Sequence, residues 1–345
     1  MGKLFERIYD FNNLMKAYKI SALGRHDRND VIKFELNLSY NLWKIHYRLK
    51  NGSYFPKKYN RFNVYEPKER EIQALPFEDR VIQTSICRNA VRDYIDRRLI
   101  YDSAACRPNK GTHFAIKRLN GFLRKFYKKY GSNGYILKID IKKYFNNVDH
   151  DILKSMLVKF PDKEVLDLLY RIIDSYNADT KKGIPIGNQT SQWFALLYLN
   201  RVDRLIKEKL RIKFYSRYMD DLVLIHPNKE YLKECLEKIR YLTVSELKLE
   251  FNKKTQIFPL AHGVDYLGFR FFLSDTGKVI RMLRTSNKKR FKRRIKAFVK
   301  KYATGEIGLD QIYRSLQSYL GHLKHGHTFK LRQHIYNRLR LKRNV

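Results

Sequence analysis

Phe214-Tyr215-Ser216-Arg217-Tyr218-Met219-Asp220-Asp221-Leu222-Val223-Leu224-Ile225 holds two apolar, β-type runs separated by a tight polar turn. That pattern predicts a hairpin with two carboxylates at its tip. Adjacent like charges repel, so a fold that aims both at one spot needs a compensating cation. Enzymes that displace phosphate oxygens meet that need with two metal ions roughly 3.5–4 Å apart, commonly magnesium. A solvated Asp-Asp turn is the plainer alternative, and the tetrapeptide alone does not choose between them.

Working outward, Tyr135-Ile136-Leu137-Lys138-Ile139-Asp140-Ile141 is a second strand-like run, and it ends on a single carboxylate. Lys142-Lys143-Tyr144-Phe145 follows, and Asn146-Asn147-Val148-Asp149-His150 begins a helix-like segment. A strand-end Asp and a hairpin-tip pair together supply the three acidic ligands of a two-metal nucleotidyl-transfer site. Between them, Gly183-Ile184-Pro185-Ile186-Gly187-Asn188-Gln189-Thr190-Ser191-Gln192 opens a long helical pattern. Asp first, a Gly/Ser turn into a helix second and the Asp pair third resembles palm motifs A, B and C of reverse transcriptases.

Composition narrows the alternatives. With 345 residues the chain can form two or three compact lobes around a substantial core. A hydrophobic content of 43%, with 14% aromatic, excludes a disordered basic tail. The formal net charge of +38 points to a polyanionic partner. No run approaches the ~18 apolar residues of a spanning helix and no signal peptide opens the chain, which argues against a membrane partner. Cys87, Cys106 and Cys235 have no ligand spacing and read as reduced thiols. Nucleic acid in the cytoplasm, in a bacterial or phage-encoded system, is the expectation.

Residues 1–60 are mostly helical in pattern, and Asn51-Gly52 and Pro56 mark breaks. The stretch 65–72 reads as a basic hairpin, and Phe77 to Ile100 as an amphipathic helix. Ser191 to Leu210 is the clearest helical pattern, with Phe194, Leu197, Val202, Leu205 and Ile206 expected on its buried side. From Asn287 onward the chain is strongly basic and helical.

The resemblance extends over nearly the whole chain. It is closest to the reverse transcriptases of diversity-generating retroelements, relatives of the group II intron and retron enzymes. It rests also on Glu66-Pro67-Lys68-Glu69-Arg70-Glu71-Ile72 and Leu75-Pro76-Phe77-Glu78-Asp79-Arg80-Val81-Ile82-Gln83. Asp102-Ser103-Ala104-Ala105-Cys106-Arg107, Lys110-Gly111-Thr112-His113 and Ser318-Tyr319-Leu320-Gly321-His322-Leu323-Lys324-His325-Gly326 are similar to the same family. In motif B most reverse transcriptases carry Gln-Gly, three residues, then Ser-Pro; here the row is Ile186-Gly187, three residues, Ser191-Gln192. That departure is the pattern expected of the diversity-generating subgroup.

The resemblance implies an α+β, right-hand polymerase fold with fingers, a palm of antiparallel sheet backed by helices, and a helical thumb. The implied boundaries are a helical extension over 1–60, fingers over 61–135, palm over 136–275 with interleaved helices at 151–182, and thumb over 276–345. Asp140 and Asp220 are the expected direct ligands of two Mg²⁺ ions, with Asp221 more peripheral and the Ile141 carbonyl completing the site. Lys68 and Arg70 are expected over the triphosphate, and Phe145 as an aromatic gate against a 2′-hydroxyl. Ile186, Gly187 and Gln192 should lie against the nucleotide and the template base. Lys254 is the candidate proton donor to pyrophosphate. Tyr266-Leu267-Gly268-Phe269 resembles the primer grip.

The implied activity is RNA-directed DNA synthesis that copies a template-repeat RNA into cDNA with errors concentrated at adenine. The implied partners are template RNA, the RNA–cDNA duplex, dNTPs and a small basic accessory protein. A group II intron- or retron-like enzyme without the mutagenic role is one rival reading. A non-catalytic RNA-binding protein derived from a polymerase is another, opposed by the intact Asp140, Asp220 and Asp221. An RNA-dependent RNA polymerase is opposed by Phe145. His322, His325 and His327 lack partner cysteines or carboxylates at zinc spacing, so a nucleic-acid face is the expected setting for them.

Overall fold

The computed structural model describes residues 3–65 and 69–343. β1 (Asn60–Val64) and β2 (Arg70–Ala74) form an antiparallel hairpin in which Val64 faces Arg70 across the tip. Every residue of β1 is exposed, whereas β2 sinks into the protein at Gln73. Of the basic stretch 65–72 read as a hairpin from sequence, Arg70 to Ile72 lie in β2, while 66–68 lie outside the described residues.

β3 (Tyr135–Asp140), β4 (Phe214–Tyr218), β5 (Asp221–His226) and β6 (Gln256–Pro259) make an antiparallel sheet in the order β4-β5-β3-β6. Side chains alternate across a strand, so each strand feeds two cores. Leu137, Ile139, Leu222 and Leu224 enter the larger core, shared with most of the helices. Ile136, Val223 and Ile225 enter a second core with the helix Thr112–Tyr130. That second core is closed by a three-stranded antiparallel sheet of β7 (Val264–Tyr266), β8 (Phe269–Leu273) and β9 (Val279–Leu283).

The helical start of the chain continues to Lys50. Leu42, Ile45 and Leu49 fall on one face of the helix Leu38–Lys50 and are buried against the rest of the N-terminal unit. Asp162 ties that unit to the sheet's helices. Its carboxylate caps the helix Lys163–Asp174 through the Val165 N–H at 3.1 Å and accepts the Phe5 N–H at 3.1 Å. Such a cap contributes about 1 kcal/mol.

Two helices depart from their sequence pattern. The expected helix over 77–100 runs Phe77–Ile86, widens into a π-turn at Cys87–Val91 and resumes over Arg92–Asp96. The one expected over 191–210 begins at Gln189, breaks at Leu199 and re-forms over Asn200–Arg204, leaving Leu205 only half-buried.

The basic C-terminal stretch forms three helices, Thr285–Ala303, Leu309–Leu323 and Phe329–Arg338. They surround a third core of Phe291, Ile295, Ile312, Leu316, Leu320, Leu323 and Ile335. Phe291 and Tyr319 stack there with ring centroids 3.6 Å apart. Among the described residues no helix is long and apolar enough to cross a membrane.

Candidate active site

The strand register brings the first carboxylates together. β3 and β5 pair with Asp140 opposite Asp221, and Tyr218 pairs with Asp221 around a turn of Met219 and Asp220. Met219 takes a positive φ of 53°. Two-residue hairpins demand that conformation and usually fill it with Gly or Asn, so a Met here stores strain of about 1–3 kcal/mol. Burial raises Asp220 above the usual carboxylate range. Its own backbone N–H opposes the shift, Asp140 adds to it, and the charges of Arg70 and Arg217 oppose it. Burial also pushes Asp221 up to about 6, with Lys138 opposing and Asp220 and Asp140 adding.

Lys138 is a residue that sequence reasoning passed over. It lies two positions before Asp140, hence on the same face of β3. Its Nζ is 3.3 Å from Asp221 Oδ1 and also donates to the Asp265 carbonyl. The alternation of β3 was the available signal for it.

Arg217 was passed over too. The side chains of Arg217 and Asp203 are both 0% exposed, and Nη2 sits 2.6 Å from Asp203 Oδ2. Nε donates to the same carboxylate at 2.8 and 3.0 Å, and the Tyr215 hydroxyl donates to Asp203 Oδ1 at 2.6 Å. Burial works against the Arg217 charge, but Asp203 outweighs it and holds the pKa above the ordinary guanidinium value. The remaining donors brace the site. Nη1 reaches the Met219 carbonyl at 3.0 Å, and Nη2 reaches the Leu196 carbonyl at 3.2 Å. One cation thus joins the helix after the Gly187 turn to the Asp-bearing turn.

Around the carboxylates, the segment 251–255 is fastened to the end of β3. The Asn252 N–H donates to the Asp140 carbonyl at 2.7 Å, and the Asp140 N–H donates to Thr255 Oγ1 at 3.3 Å. Lys254 is exposed on this segment, its own N–H bonded to Asn252 Oδ1. The Ile141 side chain is 3% exposed and faces the core, so only its backbone can serve the site. Phe145 is half-buried, edge-on to Tyr144, and its carbonyl accepts the Ile184 N–H at 2.7 Å. That bond joins the Asp140 segment to the motif B segment.

At motif B, Gly187 has a φ of +114°, and a Cβ there would meet Ile72 of β2 at 3.7 Å. Ile186 is half-buried beside it, while Gln192 lies along a groove with Arg25 and Arg80 from the N-terminal part of the chain. Arg70, exposed at the start of β2, acts electrostatically on Asp220. Lys68 lies outside the described residues.

The primer-grip-like segment is the β7–β8 hairpin. Leu267 and Gly268 occupy its turn, both at positive φ, while Tyr266 and Phe269 are buried beneath it. A Cβ on Gly268 would sit 3.0 Å from His322 Nε2, so the C-terminal helix Leu309–Leu323 approaches this turn closely. His325 stacks on His113 at 3.7 Å, and His327 Nδ1 accepts the Arg281 N–H at 2.9 Å. Burial and then neighbouring imidazoles lower the pKa of His322.

Hard oxygen donors converge here, they repel one another, and Asp221 Oδ1, in ion-pair range of Lys138, is buried with no hydrogen-bond partner among the described residues. This donor chemistry fits a divalent cation. Among the described residues no three His, Cys, Asp or Glu side chains already enclose a metal-sized position. Lys138 is the cation that lies against Asp221.

Comparison with known proteins agrees with this architecture. The chain is 23% identical over 231 residues to the group II intron-encoded protein LtrA of Lactococcus lactis subsp. cremoris, covering 63% of this chain and 37% of that protein. It is 21% identical over 224 residues to the COX1/OXI3 intron 1 protein of Saccharomyces cerevisiae, covering 62% and 25%. It thus spans well under half the length of either relative. In fold it is similar to apo telomerase from Candida tropicalis, truncated from its C-terminal domain, with a TM-score of 0.50 and 15% identity over 70% of this chain and 60% of that one. The family model for reverse transcriptase (RNA-dependent DNA polymerase) matches residues 56–271, which run from β1 through the Asp140 and Asp220–Asp221 strands into β8. This chain belongs to the reverse transcriptase family.

Proposed function

We propose that the chain copies RNA into DNA by two-metal nucleotidyl transfer, with dNTPs as substrates and an RNA–cDNA duplex as product. The observation that carries this reading is the strand register that sets Asp140 opposite Asp221, with Asp220 at the turn and Arg70 acting on it. Two Mg²⁺ ions held by Asp140, Asp220, Asp221 and the Ile141 carbonyl would activate the primer 3′-hydroxyl and stabilise the leaving pyrophosphate. Arg70 and Lys68 grip the triphosphate; Arg does so in bidentate fashion. Lys254 gives a proton to pyrophosphate. The Phe145 ring closes the space beside the sugar C2′. Phe145→Ala is expected to raise ribonucleotide incorporation relative to dNTPs by about tenfold or more in a competition extension assay. An unchanged ratio removes the gate.

Within the family we place the chain among diversity-generating reverse transcriptases, acting in the cytoplasm of a bacterial or phage-encoded system with a small basic accessory protein. Ile186 and Gln192 support this. An apolar Ile beside the Gly187 turn lacks the amide that would reject a misaligned pair, and one such bond contributes about 1 kcal/mol. Ile186→Gln is therefore expected to lower errors opposite template adenine about fivefold. A group II intron-like enzyme without mutagenic role is the second reading, favoured by the likeness to the L. lactis protein.

Sequencing cDNA made from a primed RNA by the purified protein tests all of this. Products with errors at template adenine support the subgroup, and accurate products move the chain to the second reading. No products from any primed RNA overturn the polymerase.

A further inference from the structure

The three C-terminal helices leave one side of their core open. Between Thr285–Ala303 and Phe329–Arg338 runs a groove of about 670 Å³. Its floor is apolar. Ile295 and Ile335 belong to the third core, and Val299 lines the groove half-buried. Helices pack by laying ridges into grooves, so this is the place a fourth helix would occupy in a bundle.

The rim carries one sign of charge. Lys289, Lys292, Arg293 and Lys296 stand along it, all exposed, and none makes a hydrogen bond or an ion pair among the described residues. The helix Thr285–Ala303 that bears them contains no Asp or Glu. Lysine stems are themselves apolar, so they extend the walls while their heads stay in water.

Cations above an apolar floor narrow the choice of occupant. A phosphate backbone satisfies the rim and leaves the floor wet. An uncharged apolar segment does the reverse. A helix with an apolar stripe flanked by Asp or Glu satisfies both at once. A second copy of this chain is a poor occupant, since two bodies each carrying +38 repel. From Lys289 to Val299 the groove follows ten residues of helix, about 15 Å at the usual rise, which matches roughly three turns of a partner.

The groove is also set apart from the cleft that faces the β1–β2 ribbon. That cleft takes Asn287, Arg290, Arg294 and Lys301 from the same helix and meets Tyr65 just past β1. At 3.6 residues per turn, Lys289, Lys292 and Lys296 project roughly 160° away from those four. An occupant of the groove therefore leaves the cleft free.

We propose that this groove docks an acidic amphipathic helix of a partner protein. Its apolar stripe lies on Ile295, Val299 and Ile335, and its carboxylates meet Lys289, Lys292 and Lys296. The assignment goes beyond the reverse transcriptase reading and does not depend on it.

The test is equilibrium binding of a fluorescent synthetic helix to the full chain. The peptide has about eighteen residues, long enough to be helical by itself, with leucines on one face and glutamates on both flanks. A peptide of the same residues in scrambled order is the comparator. The patterned helix is expected to bind at least about tenfold tighter than the scrambled one. Lys292→Glu with Lys296→Glu should weaken it about tenfold or more. The same reversal at Lys125 and Lys128, exposed on the helix Thr112–Tyr130, should leave its affinity nearly unchanged. Equal affinity for both peptides overturns the proposal, as does no binding of either. Equal losses from the two double variants reduce the effect to overall charge and overturn it too. If an RNA–DNA duplex displaces the bound helix, the groove is a nucleic-acid face and the proposal fails.

Discussion

Asp203→Ala is expected to cost about 3–5 kcal/mol of folding stability, because it strands a fully buried guanidinium without its counter-charge. The helix Asn200–Arg204 would lose the anchor that Tyr215 and Arg217 both use. Arg217→Met removes the charge rather than stranding it, so its stability cost should be smaller. Its catalytic cost should not be. Without the bond from Nη1 to the Met219 carbonyl, the strained turn loses the brace that aims Asp220. We expect at least about tenfold slower nucleotide addition, seen in kcat rather than in the KM for dNTP. Denaturant unfolding measures the first effect and single-turnover extension the second. A normal unfolding midpoint for Asp203→Ala would refute the buried-pair argument, and a normal kcat for Arg217→Met would refute the brace.

Asp220→Asn is expected to abolish DNA synthesis, by about 10³-fold or more, since under the proposed two-metal reaction it removes one of the three carboxylates that would hold the ions. The fold should survive. Asp220 is half-buried and feels the Asp140 charge, so a neutral amide relieves repulsion, and the variant should melt at or above the unsubstituted protein without divalent ions. Adding Mg²⁺ should then raise the melting temperature of the unsubstituted protein and leave the variant nearly unmoved, because binding to the native state stabilises by mass action. A variant that gains the same Mg²⁺-dependent stabilisation would place the metal elsewhere.

What the sequence disclosed follows from how local each signal is. The Asp140 strand and the Asp220–Asp221 hairpin were legible because apolar runs, turn residues and carboxylates all sit within a few positions of one another. The Arg217 pair was not. An arginine inside a strand reads as solvent-facing, and its burial depends on Asp203 arriving from a separate helix. The break at Leu199 carries no Gly or Pro to announce it. Tyr266-Leu267-Gly268-Phe269 was recognisable as a motif, but the three-stranded sheet around it was not. Its strands are short, and their partners are set by packing on the helix Thr112–Tyr130. The groove that joins Gln192 to Arg25 and Arg80 was invisible for the same reason, since its walls come from distant parts of the chain.

The three helices at the C-terminal end have a hydrophobic core of their own, and Leu283 packs against both that core and the one beneath β7–β9. A unit whose interior is closed on itself can loosen without disturbing the neighbouring interior. Substitutions inside the C-terminal core should therefore make those three helices open more readily while the sheet that carries Asp140, Asp220 and Asp221 keeps its protection, a difference that native-state hydrogen exchange reads. One interior can therefore accumulate change while the packing of the other is kept.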